Sequence, residues 1–277
     1  MSLSFIRLLI VAALIPLVAV AWRPVGQGAD VNGDGADELI LFDSSRGAWT
    51  ALSTDGRTVV DAFSFGGEGR VPLAGRFFST QSTAPALYDP SSGEVVISMG
   101  WTDSTVDTVR WVALPAAIPL AGDVDGDGRD ELVCYRAADG TWHAWSADGR
   151  PVVRSVSWGF PGAIPVLGDV DGDGVADLAV VDPANGDWYL RSLRYAFRPV
   201  RANWGRNANL YTIADVDGDG RGDLTAYTAE HRWHARHTFS DRAVFVALPF
   251  GDDYSIPAIG RFSSDARAQL SYLTMSL

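Results

Sequence analysis

The feature that most constrains this chain is a short acidic string that recurs at a fixed interval. Asp-Val-Asp-Gly-Asp-Gly begins at Asp123, Asp169 and Asp215, and a variant with Asn at its third place begins at Asp30. The intervals between these starts are 93, 46 and 46 residues, and 93 is close to two periods of 46. A period of this length is typical of repeat proteins, in which each unit packs on its neighbours.

Two weaker copies of the pattern complete the series. Leu-Ala-Gly-Arg, ending at Arg76, matches Leu-Ala-Gly-Asp, ending at Asp123, and Ile-Gly-Arg, ending at Arg261, begins a sixth unit. Large aromatic residues keep the same register, and the most regular of them are Trp49, Trp142, Trp188 and Trp233. Because every unit needs these rings equally, they are expected to pack in the core. The predicted units are 23–69, 70–115, 116–162, 163–208, 209–254 and a partial 255–277.

Each unit is predicted to contain four short strands. In the third unit they are expected at about 118–122, 132–136, 141–146 and 152–158, separated by the acidic loop and by Asp-Gly turn signals. Four antiparallel strands in about 45 residues is the size of one blade of a β-propeller. The sequence therefore predicts an all-β propeller, a single domain over 22–277. Six blades with a short last blade are favoured. The alternative is five blades, with the extra strands capping an edge.

The first 21 residues have the pattern of a secretory signal peptide. Arg7 precedes an apolar stretch over 8–20, and Ala19-Val20-Ala21 forms a small-x-small cleavage site. The protein is therefore expected outside the cytoplasm, extracellular or periplasmic, after cleavage near Ala21. No other segment is long and apolar enough to predict a membrane span.

The charge balance narrows the class of partner. The chain has 22 Lys and Arg against 34 Asp and Glu, a net charge of −12, and such a surface repels nucleic acid. The acids cluster in the repeated loops rather than spreading evenly. Cys134 is the only cysteine, so that no intramolecular disulfide is expected, and the thiol is predicted to be a small buried apolar group.

The acidic loop has the composition of a cation site. In the loop that starts at Asp169, side-chain oxygens stand at positions 1, 3 and 5, Gly174 at position 6 permits a tight turn, and an acid stands at position 9. Six or more oxygen ligands at about 2.3–2.6 Å suit Ca²⁺, and there is no Cys or His nearby to favour zinc. An EF-hand would need Glu at position 12 and flanking helices, whereas here a strand follows.

The string GDVDGDGVADLAVVDPANGDWYL resembles the FG-GAP or VCBS repeats of bacterial extracellular proteins, which are related to the propeller of integrin α-subunits. The resemblance implies calcium bound through loop positions 1, 3, 5, 7 and 9, with position 7 acting through its carbonyl, and about four sites. The implied ligands are Asp30, Asn32, Asp34, Ala36 and Glu38; Asp123, Asp125, Asp127, Arg129 and Glu131; Asp169, Asp171, Asp173, Val175 and Asp177; and Asp215, Asp217, Asp219, Arg221 and Asp223.

Two units depart from this ligand pattern. The second has Arg76, Phe78 and Thr80 in place of the acids, and the sixth has Arg261, Ser263 and Asp265. No metal is expected in either loop. One hypothesis is that each Arg replaces the charge of the cation within its own loop.

Other conspicuous residues have simpler explanations. Arg221-Gly222-Asp223 spells a cell-adhesion tripeptide, but Asp223 is already an implied calcium ligand. His231, His234 and His237 are three residues apart, and on a strand this spacing alternates faces, so the three rings are not expected to converge on zinc.

The function favoured by these observations is a non-catalytic binding, adhesion or scaffold module with an extracellular glycan or protein as partner. Non-periodic aromatic residues, Trp101, Trp145 and Tyr254, are candidates for a ligand surface. The alternative is an extracellular polysaccharide lyase or hydrolase on a propeller scaffold. However, the acids outside the loops, such as Glu68, Glu94 and Glu230, show no evident pairing, so no catalytic residues are predicted.

Overall fold

A computed structural model describes residues 29–53, 57–101, 108–194, 200–240, 242–249, 255–261 and 268–274. The predicted signal peptide, Tyr254, Ser263 and Asp265 lie outside the described residues. All regular structure within the described ranges is β. These ranges contain no helix long and apolar enough to cross a membrane.

The strands fall into six antiparallel sheets. The first three sheets contain β1 (Leu39–Asp43), β2 (Ala48–Leu52) and β3 (Thr58–Ser64); β4 (Val71–Gly75), β5 (Ala84–Tyr88), β6 (Glu94–Ser98) and β7 (Thr108–Val112); and β8 (Ile118–Gly122), β9 (Glu131–Arg136), β10 (Thr141–Trp145) and β11 (Pro151–Ser157). The other three contain β12 (Ile164–Gly168), β13 (Asp177–Asp182), β14 (Asp187–Arg191) and β15 (Val200–Asn203); β16 (Leu210–Ala214), β17 (Asp223–Tyr227), β18 (Arg232–Arg236) and β19 (Ala243–Pro249); and β20 (Ser255–Gly260) and β21 (Gln269–Thr274).

Each four-stranded sheet is one blade of a β-propeller, with its strands in sequence order. The first strands β4, β8, β12 and β16 lie next to one another around the axis. The second strands are apolar along almost their whole length, and β9 and β13 are buried at every residue but the last. The four strands of the third unit agree with the predicted ones to within one residue, which confirms the propeller prediction at the level of single strands.

The structure corrects the number of blades. Five sheets have three or four strands, and these are the full blades of the five-bladed alternative. The sixth unit forms only the pair β20 and β21, which is not a full blade. The favoured count of six is therefore slightly too high, because the described part of the last unit adds only two strands after the fifth blade.

The repeated tryptophans form the centre of blade packing, as predicted. Trp49, Trp142, Trp188 and Trp233 are at most 1% exposed. The indole N–H of Trp49 donates to the Phe65 carbonyl at 2.6 Å, and that of Trp188 donates to the Trp204 carbonyl at 3.0 Å. Phe65 and Trp204, each 16 residues after the tryptophan of its blade, thus supply the acceptors for the buried indoles.

Neighbouring units are joined by a ring of main-chain hydrogen bonds between their repeated loops. We number each loop from the first acid of the repeat, or from the Arg that replaces it. The N–H of position 8 donates to the position-1 carbonyl of the preceding unit over 2.6–3.1 Å. The six bonds run from Thr83 to Asp30, Asp130 to Arg76, Ala176 to Asp123, Gly222 to Asp169, Ala268 to Asp215 and Asp37 to Arg261. The last of them joins the final unit to the first and closes the ring.

Position 8 carries a carboxylate in only two of the six loops, and in each case position 1 of the preceding unit is Arg. Asp130 Oδ2 accepts the Arg76 main-chain N–H at 2.9 Å, and Asp130 Oδ1 lies 3.9 Å from Arg76 Nη2. Asp37 Oδ2 accepts the Arg261 N–H at 2.7 Å. The hypothesis that each Arg replaces a cation within its own loop is therefore corrected, since these pairings are made to the following loop.

Removal of the Asp130 carboxylate is expected to destabilise the ring. Its side chain is 2% exposed, so Asp130→Ala leaves the Arg76 N–H and guanidinium without this partner and should cost about 3 kcal/mol. Asp130→Asn keeps an acceptor and should cost less. Urea unfolding measures both, with the exposed Asp61→Ala as a control expected to lie within about 0.5 kcal/mol of wild type. An Asp130→Ala variant as stable as this control would contradict a role for the pair.

Candidate metal centres

The acidic loops lie together at one end of the propeller axis, and in the third, fourth and fifth units each connects the first strand of the unit to its second. A cavity of about 580 Å³ opens among them, and its lining comes from five of the six units. Asp30, Arg76, Gln81, Asp215 and Arg261 are among its polar walls. The opposite end of the axis holds an apolar cavity of about 420 Å³, lined by residues such as Val71, Ile118, Ile164 and Leu210. The two ends of the disc therefore differ in chemistry.

The carboxylate at position 1 organises its own loop. Asp169 Oδ1 accepts the N–H of Gly172 at 2.7 Å, and its Oδ2 accepts the N–H of Gly174 at 2.8 Å. Asp30, Asp123 and Asp215 make the same pair of bonds to the glycines at positions 4 and 6. Gly172 and Gly174 have φ of 80° and 82°, values that L side chains rarely adopt, and this explains the glycines of the repeated string.

The other predicted side-chain ligands also bond the loop backbone through one oxygen each. At position 5, Asp173 Oδ1 accepts the N–H of Val175, the residue at position 7, at 2.8 Å. At position 9, Asp177 Oδ2 accepts the N–H of Val170 at 3.1 Å. The same bonds at position 9 are made by Glu38, Glu131 and Asp223. In Asp173 one carboxylate oxygen thus fixes the loop, which leaves Oδ2 available to a cation.

The structure brings acidic oxygens of three predicted loops close enough to share one ion. In each of these sets, one ligand atom per residue lies within 4.8 Å of the others: Asp123, Asp125 and Asp127; Asp169, Asp171 and Asp177; and Asp215, Asp217 and Asp219. In the fourth unit, Asp171 Oδ1 and Asp173 Oδ2 are shielded from solvent and have no hydrogen-bond partner within the described part of the chain. Buried carboxylate oxygens without donors are costly, so this loop fits a bound cation.

The first loop differs because its third position is an amide. Asn32 Nδ2 donates to Glu38 Oε1 at 3.0 Å, and Val31 N–H donates to Glu38 Oε2 at 2.7 Å. Both oxygens of the position-9 acid therefore already have donors. The loop keeps the predicted fold, but a cation has to displace the amide contact before Glu38 Oε1 can bind it.

The fifth loop contains a residue that sequence reasoning did not place there. His237 lies just after β18, with Nδ1 at 3.3 Å from Asp223 Oδ1 and Nε2 at 3.5 Å from Asp217 Oδ2. The three histidines do not converge, as predicted, since His231 contacts Tyr227 and His234 contacts Trp204. The sequence nonetheless contains a signal that sets His237 apart. It lies four residues after the buried tryptophan of its blade, where three other units have Ser.

Burial raises the pKa of every position-9 carboxyl, although each accepts a backbone N–H that lowers it. The pKa rises to about 7 for Glu38, Asp177 and Asp223 and to about 8 for Glu131. The neighbouring loop acids add to the increase by like-charge repulsion. These carboxyls are therefore partly protonated near neutral pH when no cation compensates them.

Several other residues are structural, and one prediction about them is wrong. Cys134 is buried, and Asp223 of the Arg-Gly-Asp tripeptide is 2% exposed, as expected. Trp101 was a candidate for a ligand surface, but its ring packs on Trp49 and Phe63 and its N–H donates to the Thr83 carbonyl at 2.7 Å. It therefore belongs to the packing of the first blade, whose aromatic cluster it completes.

Solved structures with similar folds support the propeller arrangement. A lectin from Agrocybe aegerita that recognises non-reducing terminal N-acetylglucosamine is 15% identical, with a TM-score of 0.57, over 87% of this chain and 72% of the lectin. BBS1N in complex with ARL6DN is 13% identical, with a TM-score of 0.52, over 98% of both chains. Virginiamycin B lyase from Staphylococcus aureus is 9% identical, with a TM-score of 0.53, over 87% of this chain and 75% of the lyase. At these identities the likeness concerns the fold alone.

Sequence comparison identifies the repeat itself. The chain has no significant sequence match among curated proteins. Residues 123–180 match the family model described as FG-GAP-like repeat. This segment begins at the first acid of the third loop and ends in β13, so it includes the acidic loops of the third and fourth units. Residues 123–180 thus resemble FG-GAP-like repeats, and they lie within a β-propeller.

Proposed function

We propose that this chain is a secreted, calcium-binding repeat protein that acts as a non-catalytic binding or scaffold module for an extracellular glycan or protein. The observation that carries the proposal is the set of four acidic loops at one end of the axis, with buried oxygens in the fourth loop that lack donors. Only oxygen ligands are implied in the first, third and fourth loops, and Ca²⁺ prefers such ligands. Calcium is assigned a structural role, because each loop also forms a bond to the next unit.

The surroundings of Glu94, an acid outside the loops, favour binding over catalysis. Glu94 lies 2.6 Å from Arg70 Nη2 and 3.7 Å from Arg110 Nη1, so its carboxylate is neutralised on both sides. A lyase or hydrolase needs carboxyl groups that are free to exchange protons or attack. The lectin with a similar fold is consistent with a glycan as the partner, and the loop-lined cavity is the proposed place of contact.

Calcium is expected to raise the thermal stability of the protein. A site with a Kd of about 10⁻⁴ M contributes about 1.4 kcal/mol at 1 mM Ca²⁺. Melting scans in chelator and in 1 mM Ca²⁺ test this, with Mg²⁺ as the comparison ion. Asp171→Asn should reduce the calcium-dependent increase in Tm, whereas Asp61→Asn, outside the loops, should not. An equal Tm with and without Ca²⁺ for the wild type would count against the proposal.

The metal-free protein is expected to lose stability as pH rises. A carboxyl whose pKa is higher in the folded state than its ordinary value near 4 stabilises the fold fully below that value. This contribution is lost as pH rises through the folded-state values of about 7 and 8. Tm in chelator should therefore fall between pH 5 and pH 8, and Glu131→Gln should flatten the decrease. A metal-free Tm that rises across this interval would contradict the argument.

Ligand binding is expected at the loop end of the axis. A glycan array and a pull-down from extracellular material should retain a partner for the calcium-loaded wild type. Gln81→Trp places a bulky ring in the cavity wall and should abolish retention, while Arg154→Trp, an exposed position on β11, should not. Retention that survives Gln81→Trp would exclude this cavity, and turnover of a polysaccharide by the wild type would favour the enzymatic alternative.

A further inference from the structure

The fifth loop carries a nitrogen ligand beside its carboxylates. One ligand atom from each of Asp217, Asp223 and His237 lies within 4.8 Å of the others. Asp223 is 2% exposed, His237 is 15% exposed and Asp217 is 23% exposed. The imidazole is brought there by β18, which ends one residue before it and pairs with β17, the strand that Asp223 begins. The cluster is thus formed by two adjacent strands and their loop.

The equivalent position in other blades has no nitrogen. Counting four residues from the buried tryptophan of each blade gives Ser53, Ser146 and Ser192 in the first, third and fourth units. Serine provides a hydroxyl oxygen in place of a ring nitrogen, and Ser192 hydrogen-bonds to Asp177, the position-9 acid of the fourth loop. The fifth loop is therefore distinguished from the other three acidic loops by its donor set, although its Asp-Val-Asp-Gly-Asp-Gly string is identical to those of the third and fourth.

We propose that His237 Nε2 and Asp217 bind a borderline divalent transition metal, such as Zn²⁺ or Co²⁺, in the fifth loop, with Asp223 orienting the imidazole through Nδ1. Imidazole nitrogen suits these ions, whereas Ca²⁺ takes oxygen ligands. Two ligands of a tetrahedral zinc, each about 2.1 Å from the metal, are about 3.4 Å apart. The distance of 3.5 Å between His237 Nε2 and Asp217 Oδ2 is close to that separation, whereas the 3.3 Å between His237 Nδ1 and Asp223 Oδ1 suits a hydrogen bond. The inference deepens the proposed function, because it reassigns one of the four calcium loops.

A positive side chain already lies at this cluster. Arg242 Nε donates to His237 Nε2 at 3.0 Å, and Arg242 Nη2 lies 4.0 Å from Asp217 Oδ2. Arg242 is 75% exposed, so its guanidinium can turn into solvent at little cost. A metal ion bound to Nε2 takes the place of this guanidinium, while Nδ1–H can donate to Asp223 as an imidazole ligand commonly does to a carboxylate.

The test is a Co²⁺ titration of the full-length protein in saturating Ca²⁺, followed by visible absorption, with Zn²⁺ affinity measured by competition. One Co²⁺ per chain should bind with a visible d–d spectrum.

His237→Ser, which installs the residue of the other blades, should weaken Zn²⁺ and Co²⁺ binding about 10- to 100-fold. His143→Ser, on β10 of the third blade, is the matched control and should change neither. Arg242→Gln should strengthen binding about two- to fivefold, because it removes a competing cation worth up to about 1 kcal/mol.

The outcomes separate this inference from the calcium proposal. Equal Co²⁺ affinity in His237→Ser and wild type, or no Co²⁺ binding to a folded wild type, would overturn the site. If Ca²⁺ stabilises no variant while Co²⁺ binding still depends on His237, the calcium proposal fails and the transition-metal site stands. Melting curves in chelator show that His237→Ser is folded, so that a loss of Co²⁺ binding is assigned to the lost nitrogen.

Discussion

The hydrogen bond between neighbouring loops is the interaction on which the rest of the structure depends. It joins the position-8 N–H of one unit to the position-1 carbonyl of the unit before it, and it occurs at all six junctions. Main-chain groups buried without partners cost about 1–3 kcal/mol each. Each loop must therefore hold its position-1 carbonyl where the next unit can reach it. The conformation of each loop therefore determines whether its unit can bond to the next one and the ring can close.

One residue satisfies both parts of that constraint. The carboxylate of Asp123 binds the N–H groups of Gly126 and Gly128, which fixes the turn, and its carbonyl accepts the N–H of Ala176. The arrangement places further carboxylates, Asp125 and Asp127, close to the first. Their mutual repulsion opposes the same turn that ring closure requires. A cation in the loop would remove this repulsion, which is the physical reason to propose a structural role for calcium.

The repeat made much of this architecture predictable. Strand bounds in the third unit and the burial of Trp142 follow from register, because each unit has to present the same faces to its neighbours. The blade count was less accessible, since it depends on how the two ends of the chain meet. His237 and Trp101 were misjudged for a related reason. Both acquire their contacts from neighbouring strands, and a pattern read along one unit does not include those contacts.

The two loops that lack the predicted metal ligands also bond to the next unit. In them an Arg at position 1 pairs with an Asp at position 8 of the following loop. Arg at position 1 occurs only where position 8 of the following unit is Asp, as in Arg76 with Asp130 and Arg261 with Asp37. Elsewhere position 8 is Thr, Ala or Gly, and position 1 is an acid. Burial raises the pKa of Asp37 to about 6, although the Arg261 N–H and its positive charge oppose the increase, so Asp37 is mostly ionised at neutral pH. The junction between the first and last units is therefore held by groups that the chain itself supplies, and closure of the ring does not depend on a bound ion at that point.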